Sequence, residues 1–148
     1  GHPYLAYSVQ IAENPLDHRY RYSRWSGEQW FDYEIAFAGE RLYSGEDDYT
    51  GNIALDPNNP STVYISTNVN PTTGAPLPSG YYEIFQGRTI DGGANWIWLP
   101  ITQNSTEDNI RPIVPYWGGQ NTAVIWLQGT YDRYTDFNLK VVGLIISE

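Results

Sequence analysis

The stretch RTIDGGANW, Arg88–Trp96, decides how this chain is read. It admits three readings: a catalytic loop, a calcium loop, or a tight turn between strands. Gly92 and Gly93 permit the positive φ that such turns need. The Asp91 carboxylate can accept backbone N–H groups across the turn, and Trp96 can fold back and bury its apolar face. Calcium takes about six to eight oxygen ligands, and one carboxylate falls well short of that. The turn reading therefore leads, with Asp91 as a clasp, and a structural calcium ion stays as the open alternative.

The flanks are strand-like. YYEIFQGRT precedes the stretch and NWIWLPI follows it. Further strand candidates lie at Pro3–Ile11, His18–Trp25, Glu28–Phe37, Gly51–Asp56, Thr62–Thr67, Ile110–Trp117, Thr122–Gly129 and Asn138–Ile145. In Glu28–Phe37 the residues Phe31, Tyr33, Ile35 and Phe37 share one face. PNNP, Pro57–Pro60, reads as a turn and NPTTGAPLPSG, Asn70–Gly80, as an exposed loop. No segment has convincing helical periodicity. Strands recurring at roughly 8–12 residue spacing predict an all-β sandwich, barrel or propeller. YRYSRWSGEQW and YEIFQGRTIDGGANW share a plan of tyrosine strand, basic residue, glycine turn and tryptophan. Each reads as the outer hairpin of one sheet module, and three such modules account for the chain.

Composition narrows the classes. The 148 residues suffice for one domain with a real core. Aromatic residues make up 16%, too many for a disordered chain. There is no cysteine, so disulfides and thiolate metal sites are excluded. The net charge is −9 without a basic run, which argues against a nucleic-acid surface. No apolar run approaches the ~20 residues of a membrane span. Methionine is absent, so this sequence does not begin at a natural start codon, and we expect a piece of a longer protein or a processed chain.

TIDGGANW matches the Asp-box pattern Ser/Thr-x-Asp-x-Gly-x-x-Trp, with Thr89, Asp91, Gly93 and Trp96 in its fixed positions. ALDPNNPSTVYIST, HRYRYSRWSGEQW and DNIRPIVP are also similar to segments of carbohydrate-active BNR-repeat proteins. The chain thus resembles BNR/Asp-box β-propellers of the ulvan-lyase-like and sialidase-like kind. The resemblance implies residues 1–148 as one partial propeller domain of about three antiparallel blades, the C-terminal part of a propeller completed by further blades. It implies a polysaccharide lyase acting on an acidic, uronate-containing polymer in a secreted, periplasmic or cell-surface setting. A glycoside hydrolase of sialidase or rhamnosidase type and a non-catalytic sugar-binding propeller are the alternatives. No cofactor beyond that open calcium ion is implied.

A lyase must neutralise the uronate carboxylate, remove the C5 proton and protonate the leaving oxygen. DHRYRYSRW crowds the residue types for this: Arg19 and Arg21 fall on one strand face, His18 and Tyr20 on the other. Its plain alternative is an aromatic-lined strand with arginines reaching to water. Tyr7 joins this neighbourhood if the first two strands pair. GEDDYTG, Gly45–Gly51, is read as a solvated loop with Tyr49 as its candidate catalytic group. Arg111 in DNIRPIVP is a candidate for gripping a substrate carboxylate in the bidentate manner of sialidase arginines. NIRPI departs from the Phe-Arg-Ile-Pro type of motif and lies late in the chain. His2 sits at the chain start and is assigned no role.

Overall fold

The computed structural model describes residues 1–116 and 120–147. Ten strands run in order: β1 Tyr4–Ile11, β2 Asn14–Trp25, β3 Trp30–Gly39, β4 Ile53–Leu55, β5 Thr62–Thr67, β6 Glu83–Arg88, β7 Ile97–Pro100, β8 Asp108–Ile113, β9 Asn121–Arg133 and β10 Asp136–Ser147. No helix occurs among the described residues. The strands form three antiparallel sheets, ordered β1-β2-β3, β4-β5-β6-β7 and β10-β9-β8. Trp117, the end of one expected strand, lies outside the described residues.

The four-stranded sheet is the middle layer, and β5 shows why. All six residues of TVYIST are buried. Alternation sends Val63 and Ile65 to one side and Tyr64 to the other, and both faces of the strand are covered. On the first side Val63, Ile65 and Phe85 pack against Tyr20, Tyr22, Ile35 and Ala36 of the β1-β2-β3 sheet. On the second side Tyr64 and Ile84 pack against Val124 and Trp126 of β9. Fully burying one such side chain is worth about 1.5–3 kcal/mol.

Polar groups tie the layers at fixed points. The PNNP turn closes on Asp56, whose Oδ1 accepts the Asn58 N–H at 2.9 Å. Its other oxygen accepts the Thr122 hydroxyl at 2.8 Å, reaching from the middle sheet to β9. Asn109 is fully buried, and its Oδ1 accepts Trp126 Nε1–H at 2.8 Å and Gln128 Nε2–H at 2.9 Å. Such satisfied buried groups fix register, because any shift would leave them unpaired.

The β1–β2 connection carries none of the usual turn residues. Ala12 and Glu13 both take positive φ, 50° and 57°, in a two-residue hairpin turn. This conformation favours Asn-Gly, and here the paired strands impose it on two residues that disfavour it. The Asn70–Gly80 segment is a loop, with Asn70 Oδ1 accepting the Thr72 and Thr73 N–H groups. Its Pro71 carbonyl accepts the Phe37 N–H at 2.9 Å, so the loop caps part of the β3 edge.

Candidate functional site

The Arg88–Trp96 stretch forms the turn between β6 and β7. Asp91 Oδ1 accepts the Asn95 backbone N–H at 2.9 Å and the Thr89 hydroxyl at 2.9 Å. Its Oδ2 accepts the Asn95 side-chain amide at 2.8 Å. The Asn95 side-chain bond, then its backbone N–H and Thr89, pull the Asp91 carboxyl down to about 2. Gly92 and Gly93 have φ of 75° and 108°. A Cβ on Gly93 would lie 2.7 Å from the Tyr22 ring, so close approach also requires glycine there.

The turn does more than close a hairpin. Trp96 Nε1–H donates to the Gly93 carbonyl at 2.9 Å, and the indole meets the Tyr22 ring edge-on at 5.2 Å. Arg24 Nε–H donates to the Gly92 carbonyl at 2.8 Å. Tyr22 and Arg24 belong to β2, so the turn fastens the middle sheet to its neighbour. The sequence pattern marks the turn itself; this docking depends on a partner more than sixty residues away in the chain and leaves no local signal.

β2 separates its candidates onto two faces, as alternation requires. His18 and Tyr20 point into the core. His18 Nε2 lies 2.8 Å from the Asp47 carbonyl and Nδ1 3.3 Å from the Gly39 carbonyl. Tyr20 donates its hydroxyl to the Ser66 carbonyl at 2.7 Å, and burial raises its pKa well above the ordinary phenol value. Both side chains hold backbone carbonyls and offer no atom to a substrate in this arrangement.

Arg19, Arg21 and Tyr7 share the opposite face, since β1 and β2 pair with Tyr7 opposite Arg21. Each arginine already has a carboxylate. Arg19 binds Asp17 at 2.8 Å and Glu34 at 2.8 Å, with its guanidinium over the Phe37 ring. Arg21 binds Asp32, which also accepts the Tyr7 hydroxyl at 3.0 Å. These pairs raise both guanidinium pKa values, and Arg21 first among several partners holds the Asp32 carboxyl low. A substrate carboxylate would have to displace an existing partner to reach either arginine.

Arg111 stands differently. It lies in β8 where the β8–β9 register shifts between Ile110 and Ile113, a bulge at the Arg111-Pro112 pair. Its φ is 55°, rare for a side chain with a Cβ. The Arg111 N–H holds this conformation by donating to the Gly51 carbonyl at 2.7 Å. Its Nη2 donates to the Tyr131 hydroxyl at 2.9 Å, and its guanidinium carbon lies 4.9 Å from the Tyr131 ring centre. Among the described residues no carboxylate lies within ion-pair distance of it.

Arg111 and Tyr49 line one open pocket of about 320 Å³, completed by Ser8, Asp48, Thr50 and Asn52. The Gly45–Gly51 loop places Tyr49 there through backbone bonds from Leu42 N–H to the Tyr49 carbonyl and from Tyr49 N–H to the Glu46 carbonyl. Asp47 of the same loop is engaged by Arg41. Tyr43 packs edge-on against both Tyr49 and Tyr131, joining the loop to the Arg111 side. Its hydroxyl oxygen is buried and makes no hydrogen bond among the described residues. Desolvation, with acidic Glu46 and the neighbouring tyrosines, raises its pKa.

Sequence reasoning picked Tyr49 and Arg111 separately and missed Tyr43 and Tyr131, which join them. Tyr43 sits in a bend just before the turn at Ser44-Gly45, and Tyr131 lies near the end of a long strand; nothing local distinguishes either from an ordinary surface aromatic. Among the described residues no three His, Asp or Glu side chains are grouped to hold a metal ion. Comparison of the chain with protein-family profiles, curated proteins and solved structures finds no match.

Proposed function

We propose that the chain is part of a carbohydrate-active β-propeller that acts on a uronate-containing polysaccharide, with Arg111 as the group that meets the uronate carboxylate. The carrying observation is Arg111, which lines an open pocket beside Tyr49 and Asp48 and makes no ion pair among the described residues. A planar guanidinium matches a carboxylate bidentately, and its charge is most useful where no internal partner cancels it. Three stacked antiparallel sheets with an Asp-box turn on the middle one support the blade reading. The middle sheet is covered on both faces, as a blade between two blades is.

The pocket suits β-elimination. Neutralising the carboxylate acidifies the C5–H of the uronate. Tyr49 is the pocket side chain assigned to take that proton; the electron pair forms the C4=C5 double bond and the C4–O bond breaks. The departing oxygen then takes a proton, and Tyr49 can return the one it removed. A binding-only propeller is the second reading, favoured by the placement of His18 in the core, which leaves no imidazole at the pocket.

Digestion of uronate polymers, followed by ultraviolet absorbance of the unsaturated product, separates the readings. A lyase yields rising absorbance that Tyr49→Phe and Arg111→Ala abolish. Binding of uronate oligosaccharides without any such product supports the second reading. Absence of both product and binding removes the uronate reading altogether.

A further inference from the structure

A second pocket of about 450 Å³ lies across the Tyr43–Tyr131 pair from Arg111. Tyr131 links the two: it lines this second space and accepts a hydrogen bond from Arg111, which lines the first. The two pockets differ in charge. Arg111 and Asp48 line the first, one cation beside one acid, while Glu107, Asp108 and Asp132 line the second with no basic side chain among its lining residues. Lys140 Nζ engages Glu107 at 3.1 Å, so the acidic character rests mainly on the two aspartates. Asp108 Oδ1 accepts the Tyr82 N–H at 3.0 Å, while burial, Glu40 and Glu83 raise its pKa.

The rest of the second pocket suits a sugar ring. Tyr81 and Tyr43 supply aromatic surface beside Tyr131, whose ring already meets Phe137 and the Arg111 guanidinium, and Thr106 and Thr130 line the wall beside them. Aromatic faces stack on the C–H faces of sugars, and carboxylates accept sugar hydroxyls. The buried Tyr43 hydroxyl has no partner among the described residues. A ring bearing a carboxylate or sulfate ester would instead meet like charge.

We propose that the groove is bipartite: the Arg111 pocket takes a uronate ring, and the Tyr43–Tyr81–Tyr131 pocket takes an adjoining uncharged sugar. This rests on the uronate reading of Arg111 and adds the identity of its neighbour. The substrate class is a polymer in which a uronate is joined to a neutral, unsulfated sugar, not a run of uronates. Selection comes from repulsion as well as fit, because the acidic pocket disfavours a second anion.

Calorimetric titration of the chain with three defined oligosaccharides of equal length tests this: uronate joined to neutral sugar, all uronate, and all neutral. The mixed compound binds at least ~10-fold more tightly than the all-uronate one, the scale of a like-charge penalty in a cleft. Asp132→Asn, at an exposed position, raises all-uronate affinity several-fold and narrows the gap. A merely structural aspartate would not produce a gain in affinity. Equal binding of mixed and all-uronate compounds, both lost in Arg111→Ala, overturns the bipartite groove and leaves the uronate reading standing. Failure of both uronate compounds to bind overturns the two together.

Discussion

Two short segments each place one charged residue beside a tight bend, and they differ in what is left over. At the Thr89–Trp96 turn every Asp91 oxygen has a donor from the turn itself. Among the described residues, the guanidinium at the Arg111 bulge has a phenol and a ring face but no carboxylate, and the nearby Tyr43 hydroxyl has no hydrogen bond. A carboxylate satisfied within its own turn has its interactions committed to holding the fold. A cation held on left-handed backbone and left without a counter-charge keeps its interactions for something else. β2 illustrates the intermediate case: Arg19 and Arg21 resemble Arg111 in chemistry, yet Asp17, Glu34 and Asp32 already hold them.

The contrast breaks most easily at Trp96. Its indole spans the turn and Tyr22 of the next sheet. Trp96→Ala is expected to cost about 3 kcal/mol of stability, at the low end for aromatic truncation because the ring is only half buried. Chemical denaturation measures it; a loss below ~1 kcal/mol would show that the turn does not fasten the sheets. Backbone strain at Arg111 gives a smaller effect of opposite character. Arg111→Ala and Arg111→Gly remove the same contacts, but only alanine keeps a Cβ at φ 55°. Glycine is expected to be the more stable of the two by about 1 kcal/mol. Equal melting of the pair would mean that the bulge relaxes when the side chain leaves.

Much of the fold was legible because its signals are local. TVYIST read as a strand, PNNP as a turn, and TIDGGANW as a hairpin with a clasp, whereas the cover on both faces of TVYIST comes from the flanking sheets. The Ala12-Glu13 turn was not legible, since the paired strands impose its positive φ without an Asn or Gly to advertise it. The site was legible in pieces. Tyr49 and Arg111 stood out by residue type, and their meeting at one pocket follows from how β8 stacks near the Gly45–Gly51 loop. Strand alternation correctly divided His18 and Tyr20 from Arg19 and Arg21. It could not say that the first face would be core, or that Asp32 and Glu34 of β3 would fall opposite the second.

The acid limb of stability sharpens the Asp91 side of the comparison. Its carboxyl falls from an ordinary 3.8 to about 2 on folding. The folded value is depressed, so the contribution is full above the unfolded value and is lost as pH falls through the folded one. Melting temperature should therefore drop between about pH 4 and pH 2, and Asp91→Asn should flatten that drop. An unchanged acid limb in Asp91→Asn would assign the effect elsewhere, with Asp32 the next carboxyl held low. The smallest effect belongs to β2: Arg21→Ala should cost under ~1 kcal/mol, as exposed ion pairs do. A loss of uronate binding in that variant would move the site to the Tyr7 face.

The most direct measurement compares Arg111→Ala with Asp91→Ala, recording melting temperature and affinity for a uronate oligosaccharide on the same samples. Arg111→Ala should retain its melt within a few degrees and lose about 1.5–3 kcal/mol of binding, the worth of a charge-assisted hydrogen bond. Asp91→Ala should melt lower and bind normally per folded molecule. The opposite pattern, normal melting with lost binding in Asp91→Ala and unchanged binding in Arg111→Ala, would contradict the assignment of Asp91 to the fold and Arg111 to the substrate.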